Sequence, residues 1–194
     1  MRIVRYFKKP VFWFWLLTVT ILAGSGGAYV YYAGNKAEKE LQSKHIQLAR
    51  IIRSSCNVQD ILTLTGNPSD DTLEQFDNLK KLFSRIGDTD NSIRYIYLLG
   101  QRDDKVFFFL DSEPDRYTGK ADSEPLAACG EIYSDMPAGM NHVFLDKNDD
   151  IVGPYTDKWG RFITAVIPVV DKNSGKLICV MGVDMLADNW DQYI

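Results

Sequence analysis

An uncharged run near the N-terminus constrains this chain more than any other feature. It extends from Val11 to Ala33 and reads VFWFWLLTVTILAGSGGAYVYYA. At about 23 residues, the run is long enough as a helix to cross a hydrocarbon core of roughly 30 Å. Tryptophans and tyrosines lie toward its two ends, where amphipathic rings favour the membrane interface. The sequence therefore predicts a transmembrane helix over residues 11–33.

The charges on either side of this run predict its orientation. Arg2, Arg5, Lys8 and Lys9 precede it, whereas the stretch that follows it has balanced charges. By the positive-inside rule, residues 1–10 form a cytoplasmic basic terminus and everything after the span lies outside. The alternative is a cleaved signal peptide, for which ILAGSGGA could supply the small-residue site. Against this alternative, the hydrophobic character resumes as YVYYA before the first charge.

Composition excludes one class of partner and leaves the redox state open. A chain of 194 residues fits one domain plus an appendage. The net charge of −4, with no basic stripe beyond the first residues, excludes nucleic acid as a partner. The three cysteines lack metal-site spacing, and Cys179 sits in an apolar strand pattern. A Cys56–Cys129 disulfide is compatible with an extracytoplasmic location, but nothing in the sequence demands it.

Two amphipathic helices are predicted after the membrane span. Residues 37–56 show apolar positions three and four apart, and positions 41, 45, 48, 52 and 55 form a near-heptad seam that is consistent with a parallel homodimer. In the second helix, Asp71 and Glu74 read as a capping box and Gly87 as the C-cap. Its predicted apolar face consists of Leu73, Phe76, Leu79, Leu82 and Ile86.

The rest of the chain changes to strand patterns. SIRYIYLLG with KVFFFLD, and RFITAVIPVV with KLICVMGVDM, read as two β-hairpins around QRDD and DKNSG. Residues 112–160 between them are predicted to be a long connection with few strands and a short helix around EPLAACGEIYSDM. Helices followed by hairpins predict an α+β fold, an antiparallel sheet with helices packed on one side.

Nothing in the sequence marks a catalytic centre. His45 lies on the apolar stripe of its helix and His142 lies in the connection, and neither has the spacing of a metal or base motif. The acidic run DKNDD lacks the glycine and the distant glutamate of an EF-hand. We therefore predict that the chain is not an enzyme and that it holds no metal or cofactor.

Two segments carry a family resemblance. YIYLLGQRDDKVFFFLDSEP and GPYTDKWGRFITAVIPVVDKNSGKLICVMGVDM resemble the extracytoplasmic Cache (PDC, PAS-like) sensor domain of bacterial transmembrane receptors, and the length fits the single-Cache type. The resemblance covers roughly residues 34–190, with 191–194 as the start of a truncated C-terminal helix. It implies a PAS-like sheet behind a long juxtamembrane helix, and a small-molecule pocket on the face that carries the long connection.

The same resemblance implies candidate ligand-binding residues. Tyr155 and Asp157 match a Y-x-D element that contacts the ligand's amino group in amino-acid-binding members. Arg116 and Tyr117 stand where those members have an arginine followed by Trp-Tyr, and the tryptophan is missing. Asp184 is interpreted as a structural residue that pins the turn from strand to helix. The full candidate set is Tyr97, Phe109, Asp111, Arg116, Tyr133, Tyr155, Asp157 and Trp159.

The resemblance implies the sensing part of a receptor in the bacterial inner (plasma) membrane. The ligand would be an amino acid, an amine or a carboxylate, and the output a histidine kinase, a diguanylate cyclase or a chemoreceptor rod. We expect a homodimer through the juxtamembrane helix. No output domain is present, so the expectation is either a fragment or a protein that acts without its own output. The alternative function is a membrane-tethered protein-interaction module without a small ligand.

Overall fold

The computed structural model describes residues 9–119 and 125–191, and the chain divides into two units between Glu40 and Leu41. Residues 1–8 of the predicted cytoplasmic terminus and 192–194 of the predicted truncated helix lie outside the described part. The α-helices are α1 (Lys9–Ser55), α2 (Val58–Leu62), α3 (Glu74–Thr89), α4 (Asn141–Asp146) and α5 (Ala187–Asp191). The strands are β1 (Ile93–Arg102), β2 (Lys105–Ser112), β3 (Asp150–Asp157), β4 (Gly160–Val170) and β5 (Leu177–Leu186). Two 3-10 turns cover Pro68–Thr72 and Ala138–Met140.

The N-terminal unit contains the apolar part of α1. Among the described residues, α1 is the one helix long and apolar enough to cross a membrane, with a mean hydropathy of 1.6 over its best window. Its large side chains are open to the surroundings, as Trp13 (63% exposed) and Tyr31 (74%) show. The other described residues of this unit do not cover these apolar side chains, which fits a lipid-facing surface.

The second unit is built on a five-stranded antiparallel sheet in the order β2-β1-β5-β4-β3. The predicted α+β, PAS-like fold class is confirmed. The central strands β1, β5 and β4 are nearly continuous in burial because both faces of the sheet are covered. Helices α1, α2 and α3 pack on one face, while α4 and the connection before it cover the other.

The buried face of α1 is occupied within the same chain. His45, Ala49, Ile52 and Cys56 recur at spacings of four, three and four and are all buried in the second unit. Four of the five positions of the predicted dimer seam therefore pack within the domain: His45 and Ile52 are buried, and Leu41 and Leu48 are partly buried. A helix stripe that packs inside its own domain cannot at the same time form a coiled-coil seam with another copy.

Helix α3 begins and ends differently from the prediction. Its N-cap is Leu73, whose side chain makes no capping bond, so the predicted Asp71–Glu74 capping box is wrong. The helix runs through Gly87 to Thr89 and is capped by Asp90, so Gly87 is not the C-cap. Gly87 is needed inside the helix because a Cβ there would lie 2.7 Å from the Pro114 side chain. Its buried apolar residues are Phe76, Leu79 and Phe83, whereas Leu82 and Ile86 are only partly buried.

The predicted short helix around EPLAACGEIYSDM is wrong over residues 125–136, where the chain makes turns. Backbone bonds to the edge of β2 replace helical ones: Gly130 donates to Phe108 O (2.8 Å), and Phe108 donates to Glu131 O (2.9 Å). Gly130 adopts a φ of +84°, which a helix would not allow. The connection also holds more strand than expected, because β3 lies within it.

A β-bulge interrupts the pairing of β1 with β2. Leu98 pairs with Leu110 and Leu99 with Phe108, which leaves Phe109 as the extra residue. Phe109 and Leu110 consequently both belong to the helix-covered face, while Phe108 belongs to the opposite face.

All three cysteines are free and buried, so the Cys56–Cys129 disulfide that the sequence left open is not formed. The Cys56 thiol donates to Ile52 O (3.3 Å) within α1, whereas the Cys129 sulfur lies 3.8 Å from Asp70 Oδ2. Asp70 itself anchors a loop by accepting from the backbone of Thr65 and Gly66. The two cysteines thus have separate partners in the core.

Candidate functional site

The sheet face opposite α1 and α3 carries a small cavity with an unusual lining. Its walls are four aromatic side chains from the strands and the connection, one tryptophan from the β3–β4 turn, and three carboxylates: Tyr95, Tyr97, Phe108, Tyr133, Trp159, Asp111, Asp157 and Asp184. The cavity has a volume of about 10 Å³, which is room for about one water molecule.

Gly182 determines how Tyr97 lies in this cavity. The two residues pair across β1 and β5, and a Cβ at position 182 would lie 2.2 Å from two atoms of the Tyr97 ring. Because glycine has no side chain, the ring can extend over β5 and its hydroxyl donates to Asp184 Oδ1 (3.0 Å). Gly182 and Asp184 are two apart in the strand, so both lie on the cavity face.

Asp184 is the centre of a hydroxyl network. Its Oδ1 also accepts from Thr164 Oγ1 (2.6 Å) on β4, and the Tyr155 hydroxyl shares a hydrogen bond with that same Thr164 (2.8 Å). Burial raises the pKa of Asp184 to about 8, although the hydrogen bonds from Thr164 and Tyr97 oppose the shift. The interpretation of Asp184 as a local turn cap is wrong, since its partners lie on two neighbouring strands.

Asp111 is the second buried carboxylate. It pairs with Tyr97 across β1 and β2, and its Oδ2 accepts from the backbone of Ala127 (2.9 Å). Its Oδ1 is buried without a hydrogen-bond partner among the described residues. Burial raises the pKa of Asp111 to about 7, and the Ala127 bond and the ammonium of Lys80 oppose this. An unsatisfied carboxylate oxygen in a buried site is costly unless something else bonds to it.

Asp157 comes from the turn YTDKWG between β3 and β4. Its Oδ1 accepts from the backbone of Trp159 (2.9 Å) and of Gly160 (3.2 Å), which closes the turn. Its Oδ2 accepts from the Tyr133 hydroxyl (2.7 Å) and so ties the connection to the turn. The pKa of Tyr133 is raised well above its usual range by burial, with Tyr155, Asp184 and Asp157 adding to the shift.

Contacts between rings, one tilted and two edge-to-face, hold the aromatic wall together. Ring centroids are 5.0 Å apart for Phe108–Tyr133, 5.6 Å for Phe108–Trp159 and 5.8 Å for Tyr133–Trp159. The Trp159 indole N–H donates to Pro125 O (2.8 Å), so the tryptophan closes over the cavity from the turn. Rings at these separations stabilise one another beyond the area that they bury.

Cations beside the cavity are already paired. The Arg94 guanidinium lies 4.0 Å from the Tyr95 ring centre and bonds to Glu113 at 2.7 Å in a buried ion pair. The Lys158 ammonium lies 4.1 Å from the Trp159 ring centre and bonds to Glu131 at 2.6 Å. None of the described residues that line the cavity is a cation, so the three aspartates of the lining have no cationic partner there.

Six of the eight predicted site residues come together here. Five line the cavity: Tyr97, Asp111, Tyr133, Asp157 and Trp159. Tyr155 joins the same network through Thr164. Sequence reasoning missed Tyr95, Phe108, Thr164 and Asp184. Side chains two apart in a strand lie on the same face, so the spacing of Gly182 and Asp184 in MGVD was the signal that would have placed Asp184 beside Tyr97.

Phe109 and Arg116 lie elsewhere. The bulge turns Phe109 to the opposite face, where its ring packs 4.9 Å from Phe107. The Arg116 guanidinium donates to three backbone carbonyls, those of Gly87 (2.5 Å), Asp90 (3.2 Å) and Ile93 (2.6 Å). Those bonds hold the α3–β1 loop, so the structure does not present Arg116 to a ligand carboxylate in this cavity.

Within residues 9–119 and 125–191, no three or more His, Cys, Asp or Glu side chains lie close enough together to hold a metal ion. The three aspartates of the cavity stand apart on different elements and are held by hydroxyl and backbone donors. Their surroundings are aromatic, which suits an organic cation better than a hard metal ion.

Comparison with solved structures establishes the fold. The chain matches the extracellular domain of a candidate histidine kinase, vpHK1S-Z8, at a TM-score of 0.52 and 10% identity, covering 90% of this chain and 62% of that one. It matches that of another, mmHK1S-Z3, at a TM-score of 0.51 and 12% identity, covering 81% and 57%. The ligand-binding domain of the Campylobacter jejuni chemoreceptor Tlp3 in complex with L-valine is more distant, at 0.44 and 15% identity, covering 82% and 65%.

The chain shares the fold of these extracellular domains, on two matches with a TM-score above 0.5, and the expected PAS-like α+β fold agrees with them. At identities this low, the likeness concerns the fold alone. The chain spans about three fifths of the length of these solved domains. No family model and no curated relative matches the chain.

Proposed function

We propose that this chain is the extracytoplasmic input of a transmembrane receptor and that its cavity binds a small organic amine in the cationic form. The observation that carries the proposal is the buried Asp111 Oδ1, which has no partner among the described residues although it lines the cavity. A protonated amine supplies the N–H donor that this oxygen lacks, and it supplies a positive charge, which none of the described residues that line the cavity carries.

The electrostatics favour a cation over the other two predicted ligand classes. Burial raises the pKa of Asp111 to about 7 and that of Asp184 to about 8, so each is easily protonated when no cation is present. An ammonium favours their charged forms, and the rings of Tyr97, Phe108 and Trp159 add cation–π attraction. A carboxylate ligand would add a further anion. An amino acid needs a donor for its carboxylate, and Arg116 is occupied.

Binding requires the cavity to open. A volume of about 10 Å³ holds about one water molecule, so even a small amine needs the aromatic wall to move. In this proposal the segments that move are the turn with Trp159 and the connection with Tyr133 and Ala127, which cover the cavity from outside the sheet. An amine that binds only the open form would shift the population toward it, and this shift would be the signal.

The same proposal includes the arrangement of the chain relative to the membrane. Residues 1–10 would be cytoplasmic, 11–33 would span the bacterial inner membrane and 34–190 would form the sensor domain outside. Support comes from the apolar part of α1 and from the fold of the second unit. A homodimer through the juxtamembrane helix would have to use a surface other than His45 and Ile52, for instance the side with Ile51, which is 62% exposed.

Ligand-induced stabilisation of the full chain in detergent micelles tests the cation claim. Alkylamines, amino acids and carboxylic acids would be compared at pH 6 and pH 8. We expect the amines to raise Tm, and more so at pH 8, because Asp111 must lose its proton before it can pair with the ammonium. Asp111→Asn should weaken amine binding by roughly tenfold or more, the equivalent of a lost charged hydrogen bond.

The matched control is Asp146→Asn, which alters an exposed aspartate at the end of α4. It should leave amine binding unchanged. Stabilisation by carboxylates instead of amines, or amine binding that Asp111→Asn leaves intact, would refute the cation claim.

The closed cavity favours one second candidate, a membrane-tethered interaction module without a small ligand. In that case Trp159 and Tyr133 would act only as core residues. Crosslinking in membranes to a partner protein, together with no stabilisation by any of the three ligand classes, would support this candidate over the sensor.

A further inference from the structure

His45 is a buried titratable group outside the cavity. It lies on the part of α1 that belongs to the second unit, is 2% exposed, and packs with its ring centroid 6.2 Å from that of Trp190 on α5. Neither imidazole nitrogen has a hydrogen-bond partner among the described residues. The backbone of Val183 on β5 lies near the ring, but no bond of normal geometry joins them.

The small core beside His45 joins α1 to α5. Ile163, Met185, Ala187 and Trp190 are buried together, and Leu41 packs against them. Since α1 brings the chain into the domain and α5 follows its last strand, this core holds the two end elements of the domain against each other. A charged imidazolium here would lose its hydration, and the Val183 backbone, which favours the charged form, offsets only part of that cost.

Charged groups on the surrounding elements do little to change this. Asp90, the C-cap of α3, favours protonation of His45, but its effect is smaller than that of burial. On α5, Asp188 is exposed and pairs with Arg161 of β4. On β5, Asp184 is bonded to Tyr97 and Thr164 on the other face of the sheet. On α1 itself, Lys44 is exposed and adds a like charge.

We infer that this domain has a second input, protons, which are detected at His45: protonation of the buried imidazole releases α5 and Trp190 from α1. Burial, the largest cause, lowers the pKa of His45 from 6.5 to about 4. A histidine released into water regains a pKa near 6.5, so acid favours the released form.

The direction and size of the effect follow from these two values. A lowered pKa in the packed form means that stability of the α1–α5 contact is full above pH 6.5 and is lost as the pH falls toward 4. The equilibrium constant for release should rise on the order of 30-fold between pH 7.5 and pH 5. This input does not depend on the amine cavity.

The test uses the full chain in detergent micelles, with fluorotryptophan and ring-labelled histidine followed by NMR. Trp190→Phe assigns the Trp190 signal, and His142→Gln assigns the two histidines and serves as the exposed-histidine control. We expect His45 to stay neutral at pH 6 and the Trp190 signal to move toward its released position as the pH falls to 5. His45→Leu should remove the Trp190 response, whereas His142→Gln and Asp111→Asn should keep it.

Titration of His45 near pH 6.5 without movement of Trp190 would overturn the inference. So would a Trp190 response that survives in His45→Leu. Because Asp111→Asn abolishes the proposed amine site and not this response, failure of one proposal can be told from failure of the other.

Discussion

Substituting Gly182 by alanine should disrupt the cavity through one methyl group. The added Cβ would lie 2.2 Å from Cε2 and Cζ of Tyr97 and 2.6 Å from its hydroxyl oxygen. Ordinary contacts between such atoms need about 3.5 Å, so the ring has to move by more than 1 Å. Tyr97 is 3% exposed and packs 5.7 Å from the Phe108 ring, and the cavity of about 10 Å³ beside it is too small to take up the displaced ring.

The expected cost has two parts. Overpacking of a filled core costs about 1–3 kcal/mol. Displacement of the Tyr97 hydroxyl from Asp184 loses a buried hydrogen bond, which contributes about 0.5–1.5 kcal/mol when the acid is neutral and more when it is charged. The variant should therefore lose roughly 2–4 kcal/mol in free energy of unfolding and should bind amines more weakly.

A double-mutant cycle separates this mechanism from a general effect on β5. Unfolding of the second unit would be followed by near-ultraviolet circular dichroism in Gly182→Ala, Tyr97→Ala and the double variant. Once the ring is gone, the methyl has nothing to displace, so the cost of Gly182→Ala should fall below about 1 kcal/mol. An equal cost in both backgrounds would refute the reasoning. Gly34→Ala, which meets no atom within 4 Å, is the matched control.

Two further predictions concern residues outside the cavity. Arg116→Ala should destabilise the second unit by roughly 2–3 kcal/mol, because the backbone carbonyls of Gly87, Asp90 and Ile93 each lose a charged donor. The variant should leave amine affinity unchanged. Reduced amine affinity at unchanged stability would contradict the structural role. The three thiols should resist a thiol reagent at pH 8 in the native protein and react after unfolding, because burial raises the pKa of Cys56 to about 12 and that of Cys129 to about 11. Mass spectrometry would measure the extent of thiol modification, and rapid modification in the native protein would argue against that burial.

The parts of this fold that local patterns determine could be predicted from the sequence. Alternation and turn residues located both hairpins, and helix periodicity located α3 and the domain part of α1. Errors arose where tertiary partners override local signals. Asp71 and Glu74 have the spacing of a capping box, but the preceding residues form a 3-10 turn in which Asp70 bonds the Thr65–Gly66 backbone. The apolar stripe on α1 has the spacing of a coiled-coil dimer seam, but it packs within its own domain.

The candidate site was predictable as far as its residues lie within recognisable turns and strands. YTDKWG was identified as a pocket element, and the structure brings Asp157 and Trp159 to the cavity. Asp184 was missed because its role depends on Tyr97 and Thr164, which are 87 and 20 residues away in sequence. Arg116 was misjudged because a sequence does not show which acceptors a guanidinium has already found.

The bulge at Phe109 should determine where this hairpin can lose a residue during evolution without changing the lining of the cavity. Because Phe109 is the unpaired extra residue, its deletion would restore a regular ladder and still leave Phe108 and Asp111 facing the cavity. Deleting Leu98 from the partner strand would instead send Tyr97 and Leu99 to opposite faces. We therefore expect gaps among homologous chains at position 109 and not at position 98, so that one strand of the hairpin can change in length while the cavity keeps its lining.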